Sequence, residues 1–113
     1  MNPNVAMGTV EGTGASIDIE CGFVPGYVKV VNIDSATIEE LEWYRGMADA
    51  SAVKTVTGTV ARTKITSLGI TPLGDAATDT VEQGFRIGAD TDVNVSGETL
   101  VWFAARGGAG QVF

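Results

Sequence analysis

A β fold is indicated most clearly by the stretch Tyr27-Val28-Lys29-Val30-Val31-Asn32-Ile33. β-Branched residues dominate it, and the turn residues Gly22, Pro25 and Gly26 come shortly before it. A β-branched run bounded by turn residues is typical of a strand. Residues 27–33 therefore predict a β-strand, and the same kind of pattern continues on both sides.

Apolar and polar residues alternate in several other segments. Residues 15–21 and 84–88 each predict a short strand, and 93–95 leads through a turn into a last strand at 98–105. That last strand is apolar on both faces, which predicts either a central position or cover by another subunit.

Residues 37–45 allow two interpretations. Thr37 followed by Glu40 resembles the capping box of a helix. Leu41 and Trp43, however, alternate with polar neighbours as in a strand. We favour the strand because the flanking segments are strands.

Two Val/Thr-rich runs, 52–56 and 58–66, predict a hairpin with its turn near Thr57-Gly58. Gly and Pro interrupt 68–74, which predicts an edge strand or a loop, and 75–83 is predicted to be a loop. The hairpin is expected to point three basic side chains outward: Lys54, Arg62 and Lys64.

Seven to nine short strands without a dependable helix predict an all-β fold, an antiparallel β-sandwich or jelly-roll-like barrel. At 113 residues the chain is long enough for one domain. We expect an N-terminal arm at 1–14, the β-sandwich domain at 15–106 and a flexible C-terminal tail at 107–113.

Composition excludes several function classes. The chain has no His and a single Cys, so Ser-His-Asp sites, His-ligated metals and disulfide frameworks are ruled out. Its net charge of −7 argues against binding nucleic acid or an anionic membrane surface. The first ten residues contain no Lys or Arg, unlike a secretory signal peptide.

The segments that resemble ligand sites fail on inspection. Residues 90–98 imitate the start of a calcium loop but have Val where an EF-hand needs Gly and Glu. The acids Glu39, Glu40 and Glu42 fit a solvated face better than a glycosidase pair. The Gly-rich tail lacks the following helix of a phosphate loop. We therefore expect no catalytic, cofactor-binding or metal-binding residue.

The aromatic pairs and the charge distribution suggest candidate interface residues. In a strand, neighbouring side chains point to opposite faces, so one member of each adjacent aromatic pair is expected outside the core. Basic residues cluster in the hairpin while acids cluster after it, a distribution that fits a solvated surface and also allows docking between complementary subunits. The candidate interface residues are Trp43, Tyr44, Trp102, Phe103, Lys54, Arg62, Lys64, Val112 and Phe113.

Five segments carry a resemblance to a known group: 22–32 (GFVPGYVKVVN), 42–49 (EWYRGMAD), 65–72 (ITSLGITP), 84–90 (GFRIGAD) and 94–100 (NVSGETL). Together they resemble small virion structural proteins of tailed bacteriophages, in particular head decoration, or cement, proteins. The resemblance implies a non-enzymatic protein that binds the major capsid protein, resides on the capsid surface and passes through the host cytoplasm during assembly. It also implies a homo-oligomer, with a trimer favoured. The alternative is a tail-fibre or lectin-like domain that binds carbohydrate through Trp43, Tyr44 or Trp102.

Overall fold

The computed structural model describes residues 4–57, 60–74 and 83–106, and the side chains of all of these except 60 and 61. Every regular element in this part of the chain is a strand. The strands are β1 Val5–Glu11, β2 Ile17–Glu20, β3 Pro25–Asn32, β4 Glu39–Tyr44, β5 Ser51–Val56, β6 Val60–Leu73, β7 Gly84–Ile87 and β8 Thr99–Arg106. The expectation of an all-β chain with a sandwich or barrel-like fold is confirmed.

All eight strands belong to one antiparallel sheet with the order β1-β8-β3-β4-β5-β6-β7-β2. β1 and β2 lie at opposite edges of this sheet, yet only residues 12–16 join them. The six Cα-to-Cα steps from Glu11 to Ile17 span at most about 22 Å, whereas the outer strands of a flat eight-stranded sheet, spaced by about 4.8 Å, would lie about 34 Å apart. The sheet therefore has to curl, and it forms a half-barrel.

The concave side of the half-barrel holds the core. Alternate residues of β3 and β4 point inward, and Val28, Val30 and Leu41 are fully buried. Larger side chains from elsewhere complete the packing, with Phe85 and Trp102 in an edge-on contact at 5.6 Å between ring centres. The buried cluster is Cys21, Phe23, Val28, Val30, Leu41, Trp43, Ala52, Ile70, Phe85, Ile87, Val93, Leu100 and Ala104.

The segment between β7 and β8, residues 88–98, closes the open side of the half-barrel. Val93 enters the core, and the buried Asn94 fixes the segment to the β1–β2 connection. The Asn94 side-chain oxygen accepts hydrogen bonds from the amides of Thr13 and Gly14, and its NH₂ group donates to the Ala15 and Gly88 carbonyls. This polar side chain satisfies four backbone groups, so the two sheet edges are tied together through it.

β6 contains an irregularity at its middle. Ala52 pairs with Ile65 and Ser51 pairs with Ile70, so residues 66–69 bulge out of the sheet. Leu68 lies in this bulge with φ at 64° and its side chain 48% exposed. We refer to residues 66–69 as the β6 bulge.

Two expectations about the chain's organisation need correction. Residues 5–11, assigned to an arm, form β1 and pair along their whole length with β8. Residues 93–95 were expected to lead into a strand but lie in a turn segment. The Asp90 carboxylate shapes this turn by accepting hydrogen bonds from the amides of Asp92 and Val93. The expected tail at 107–113 lies outside the described residues.

Candidate functional site

The sheet separates the two adjacent aromatic pairs. Trp43 is a core residue, 4% exposed, and its indole N–H donates to the Ala48 carbonyl. Trp102 is half-buried and packs on the concave side. Tyr44 is 44% exposed on the outer face, and Phe103 is half-buried there. Trp43 is thus unavailable to a partner, which corrects its place among the candidate interface residues.

Three rings meet on the outer face over the β8–β3–β4 part of the sheet. The Tyr27 ring centre lies 5.3 Å from that of Tyr44 and 6.2 Å from that of Phe103, in tilted and edge-on arrangements. Such pairs contribute about 0.5–1.5 kcal/mol beyond their area. Cross-strand pairing of Tyr27 with Tyr44 positions the first two rings, so the cluster is built into the sheet.

A carboxylate lies beside this cluster. Glu42 accepts hydrogen bonds from the hydroxyl of Tyr27 at 2.9 Å and that of Tyr44 at 3.3 Å, and from the Arg62 guanidinium at 3.3 Å. Burial, and then the hydrogen bond to Glu42, raise the pKa of the Tyr27 hydroxyl well above its ordinary value. The cluster therefore presents phenol groups held in fixed directions.

The exposed apolar surface continues from the rings to the edge strand. Val5 pairs with Ala105 and Met7 pairs with Phe103, which places both β1 side chains on the outer face. Val5 is 52% exposed and Met7 is 66% exposed. We call the set Val5, Met7, Tyr27, Tyr44 and Phe103 the outer apolar band. Contiguous apolar surface of this kind is typical of an interaction site.

A shallow groove of about 320 Å³ adjoins the band. Its lining consists of Gly26, Tyr27, Tyr44, Arg45, Ala105 and Arg106. The Arg106 guanidinium lies over the Phe23 ring, 5.2 Å from the ring centre, so Tyr27 and Tyr44 are the lining residues that suit an apolar or planar partner group. A second groove, of about 530 Å³, runs along the β6 bulge between Leu68, Gly14 and Gly88.

Of the three basic residues expected to point outward, Arg62 and Lys64 are exposed. Lys54 points to the concave side, because it pairs with the inward-facing Leu41, and this expectation was wrong. Its ammonium group bonds Asp90 at 2.9 Å and Asp92 at 2.6 Å. Burial alone would lower the pKa of Lys54, but the bonds to the two carboxylates outweigh this effect and raise it. Lys54 therefore serves the fold.

The remaining candidate chemistry is sparse. Within the described residues, no group of three or more His, Cys, Asp or Glu side chains is arranged to hold a metal. Cys21 is buried, which raises the pKa of its thiol, and the thiol donates to the Phe23 carbonyl. Val112 and Phe113 lie outside the described residues.

Sequence reasoning missed three members of the outer apolar band. Tyr27 was assigned only to a strand, and Val5 and Met7 were assigned to an arm. Strand alternation applied to residues 4–11 would have placed Val5 and Met7 on one face. Which face that is depends on the pairing with β8, which the sequence does not reveal.

No protein-family model, no curated protein and no solved structure matches the chain. The regular elements of the described residues are strands only, so no helix among them could span a membrane. Function therefore has to be inferred from the residues of this chain.

Proposed function

We propose that this protein is a non-enzymatic structural protein of a tailed-phage virion that decorates and stabilises the capsid by binding the lattice of the major capsid protein. The observation that carries the proposal is the outer apolar band, which joins exposed apolar and aromatic side chains on the convex face of a small, acidic β-domain. The resemblance of residues 22–32, 42–49, 65–72, 84–90 and 94–100 to decoration proteins supplies the identity of the partner.

The geometry supports docking through the convex face. Curling of the sheet directs the core side chains inward and leaves the convex face to a partner. The Tyr27, Tyr44 and Phe103 rings are held by one another and by Glu42, so little side-chain entropy is lost when they are covered. Rigid aromatic residues are the side chains that most often dominate binding energy at interfaces.

Repetition explains how such a small surface suffices. A capsid lattice presents the same site many times, and an oligomeric decoration protein contacts several copies at once. Linked binding events raise the overall affinity by a factor of 10² to 10⁴, as an order of magnitude, without new contacts. We propose a homo-oligomer on the capsid surface, assembled after synthesis in the host cytoplasm.

Cosedimentation with phage heads that lack this protein tests the proposal. Wild-type protein should pellet with the heads, and Tyr44→Ala should bind at least roughly tenfold more weakly, because an aromatic anchor is worth about 2 kcal/mol. Thr91→Ala, at an exposed residue of the segment that closes the concave side, is the matched control and should bind like wild type. Equal binding by both variants, or no binding by the wild type, would contradict the proposal.

A second candidate function is carbohydrate binding at the tip of a tail fibre. The tilted Tyr27–Tyr44 pair beside the groove that Arg45 and Arg106 line favours it, because sugars stack on exposed aromatic rings. Calorimetric titration with host surface polysaccharide distinguishes the two functions. Heat of polysaccharide binding that wild-type protein shows and Tyr44→Ala lacks would favour the carbohydrate site. A wild type that gives no heat with polysaccharide but binds to heads would favour decoration.

A further inference from the structure

Within the part of the chain that the structure describes, the outer edge of β1 presents a regular row of backbone amides and carbonyls that pair with no other strand. The Arg106 amide donates to the Asn4 carbonyl at 2.8 Å, and the Gly12 amide donates to the Glu98 carbonyl at 2.8 Å. Hydrogen bonding alternates along an antiparallel pair, so the even-numbered residues of β1 face β8. The amides and carbonyls that point away from the sheet therefore belong to Val5, Met7, Thr9 and Glu11.

This edge lacks the features that protect natural sheet edges. Charged side chains, Pro, bulges or a short strand normally prevent an edge from pairing with another chain. β1 is seven residues long, pairs with β8 without a bulge, and carries its one charge at the end, on Glu11. Among the described residues, β1 pairs with β8 alone.

The opposite edge is protected. β2 has four residues, and its bonds to β7 leave the groups of Asp18 and Glu20 pointing outward. Pairing two copies through β2 would bring carboxylates of one copy against those of the other, in a chain of net charge −7. Like charges directly opposite each other destabilise a strand pair. The two edges therefore differ, and β1 is the one that is open to a partner.

We propose that β1 pairs antiparallel with β1 of a second copy of this chain, with a two-fold axis at Gly8. In this register Met7 lies opposite the partner's Thr9, and Val5 lies opposite the partner's Glu11. All outward-pointing amides and carbonyls of both strands then meet a complementary group, two hydrogen bonds for each such pair. The result is one continuous sheet through both subunits.

Charge and symmetry favour a second copy as the occupant. A two-fold interface uses the same surface twice and closes after two subunits. Because Glu11 lies opposite the partner's Val5, the register sets no acid against another acid. Pairing through this edge therefore adds no contact between like charges to the general repulsion of two acidic molecules.

The side chains add apolar contact to the backbone pairing. Val5 and Met7 point to the convex face, so the outer apolar bands of the two subunits meet across the axis. On the concave side Gly8 leaves room for Trp102, whose ring a Cβ at position 8 would approach to 2.9 Å. An interface made by one strand from each subunit buries less surface area than a standard protein interface. We therefore expect a dissociation constant of about 1–100 μM.

Sedimentation velocity from about 10 to about 500 μM, a range that covers such a constant, tests the proposal. Wild-type protein should sediment as a dimer at the upper concentrations. Thr9→Pro should remain a monomer, because it removes an outward amide and leaves the bonds to β8 intact. Thr9→Val keeps the amide and should dimerise. A wild type that stays a monomer or forms a trimer, or a Thr9→Pro dimer, would overturn the proposal.

Disulfide trapping tests the register. In a Cys21→Ala background, Met7→Cys mixed with Thr9→Cys should cross-link, because paired strand residues lie about 5.5 Å apart, within disulfide range. Met7→Cys alone should cross-link poorly. Efficient cross-linking of Met7→Cys with itself would overturn the register. Dimer formation is measured on the free protein and head binding by cosedimentation, so failure of one proposal is distinguishable from failure of the other.

Discussion

Lys54 Nζ lies 2.9 Å from Asp90 Oδ2 across the concave side of the sheet, although the two residues are 36 positions apart in the chain. Asp90 is 4% exposed, and its other carboxylate oxygen accepts the amides of Asp92 and Val93. One carboxylate thus shapes the turn and attaches it to β5. The segment that closes the half-barrel depends on this pair.

Removal of the ammonium group should destabilise the fold. Lys54→Met leaves the Asp90 carboxylate buried without its partner, which typically costs roughly 3 kcal/mol. The double variant Lys54→Met/Asp90→Asn keeps the oxygen that accepts the turn amides and should lose clearly less. Urea unfolding followed by Trp fluorescence measures both values. Equal losses in the single and double variants would contradict the buried-charge explanation.

Stability should fall at alkaline pH. The pKa values of Tyr27 and Lys54 are both raised in the folded state. Their contributions are therefore complete below the unfolded pKa values, about 10 for Tyr and about 10.4 for Lys, and are lost as pH rises towards the folded values. Tyr27→Phe removes the phenol, so it should flatten the decline of the unfolding free energy above about pH 10. An unchanged decline would refute the role of Tyr27.

Gly84 should tolerate no side chain. A Cβ there would overlap the Ile19 carbonyl oxygen of the neighbouring strand. We expect Gly84→Ala to destabilise the protein by more than about 3 kcal/mol, in the range of strained core substitutions. Gly46→Ala is the control: its Cβ would meet nothing within 4 Å, and its φ of +99° costs about 1–2 kcal/mol. Similar thermal shifts for the two variants would argue against the close approach at Gly84.

The Cys21 thiol should report on opening of the core. Burial raises its pKa, so little thiolate is present at pH 8 and a disulfide reagent has no access. Reaction with Ellman's reagent should be slow in native protein and fast in urea. Lys54→Met should increase the native rate by the factor by which it raises the open population, about tenfold for each 1.4 kcal/mol of lost stability. Rapid labelling of the native wild type would show that Cys21 is not protected.

The sequence predicted those strands in which inner and outer residues differ in polarity. β4 was identified by this alternation, whereas β3 and β8 were identified by their β-branched and apolar runs between turn residues. β1 was missed because its inward residues are small, Ala6 and Gly8, while its outward residues Val5 and Met7 are apolar. An edge strand with small inward residues and apolar outward residues lacks the alternation of apolar and polar residues by which strands are predicted.

Other features depended on contacts between distant residues. The strand or loop expected at 68–74 is split: the β6 bulge ends at Gly69, and Ile70–Leu73 pairs with β7. Pro72 is accepted there because its nitrogen points away from β7. The inward direction of Lys54 follows from its register with Leu41 and from Asp90, neither of which is apparent from local sequence.

Immunogold labelling of intact virions with antibody against this protein tests capsid decoration most directly. If the protein decorates the capsid, gold should label the surface of the head uniformly. Label confined to the tail, or particles without label, would contradict it.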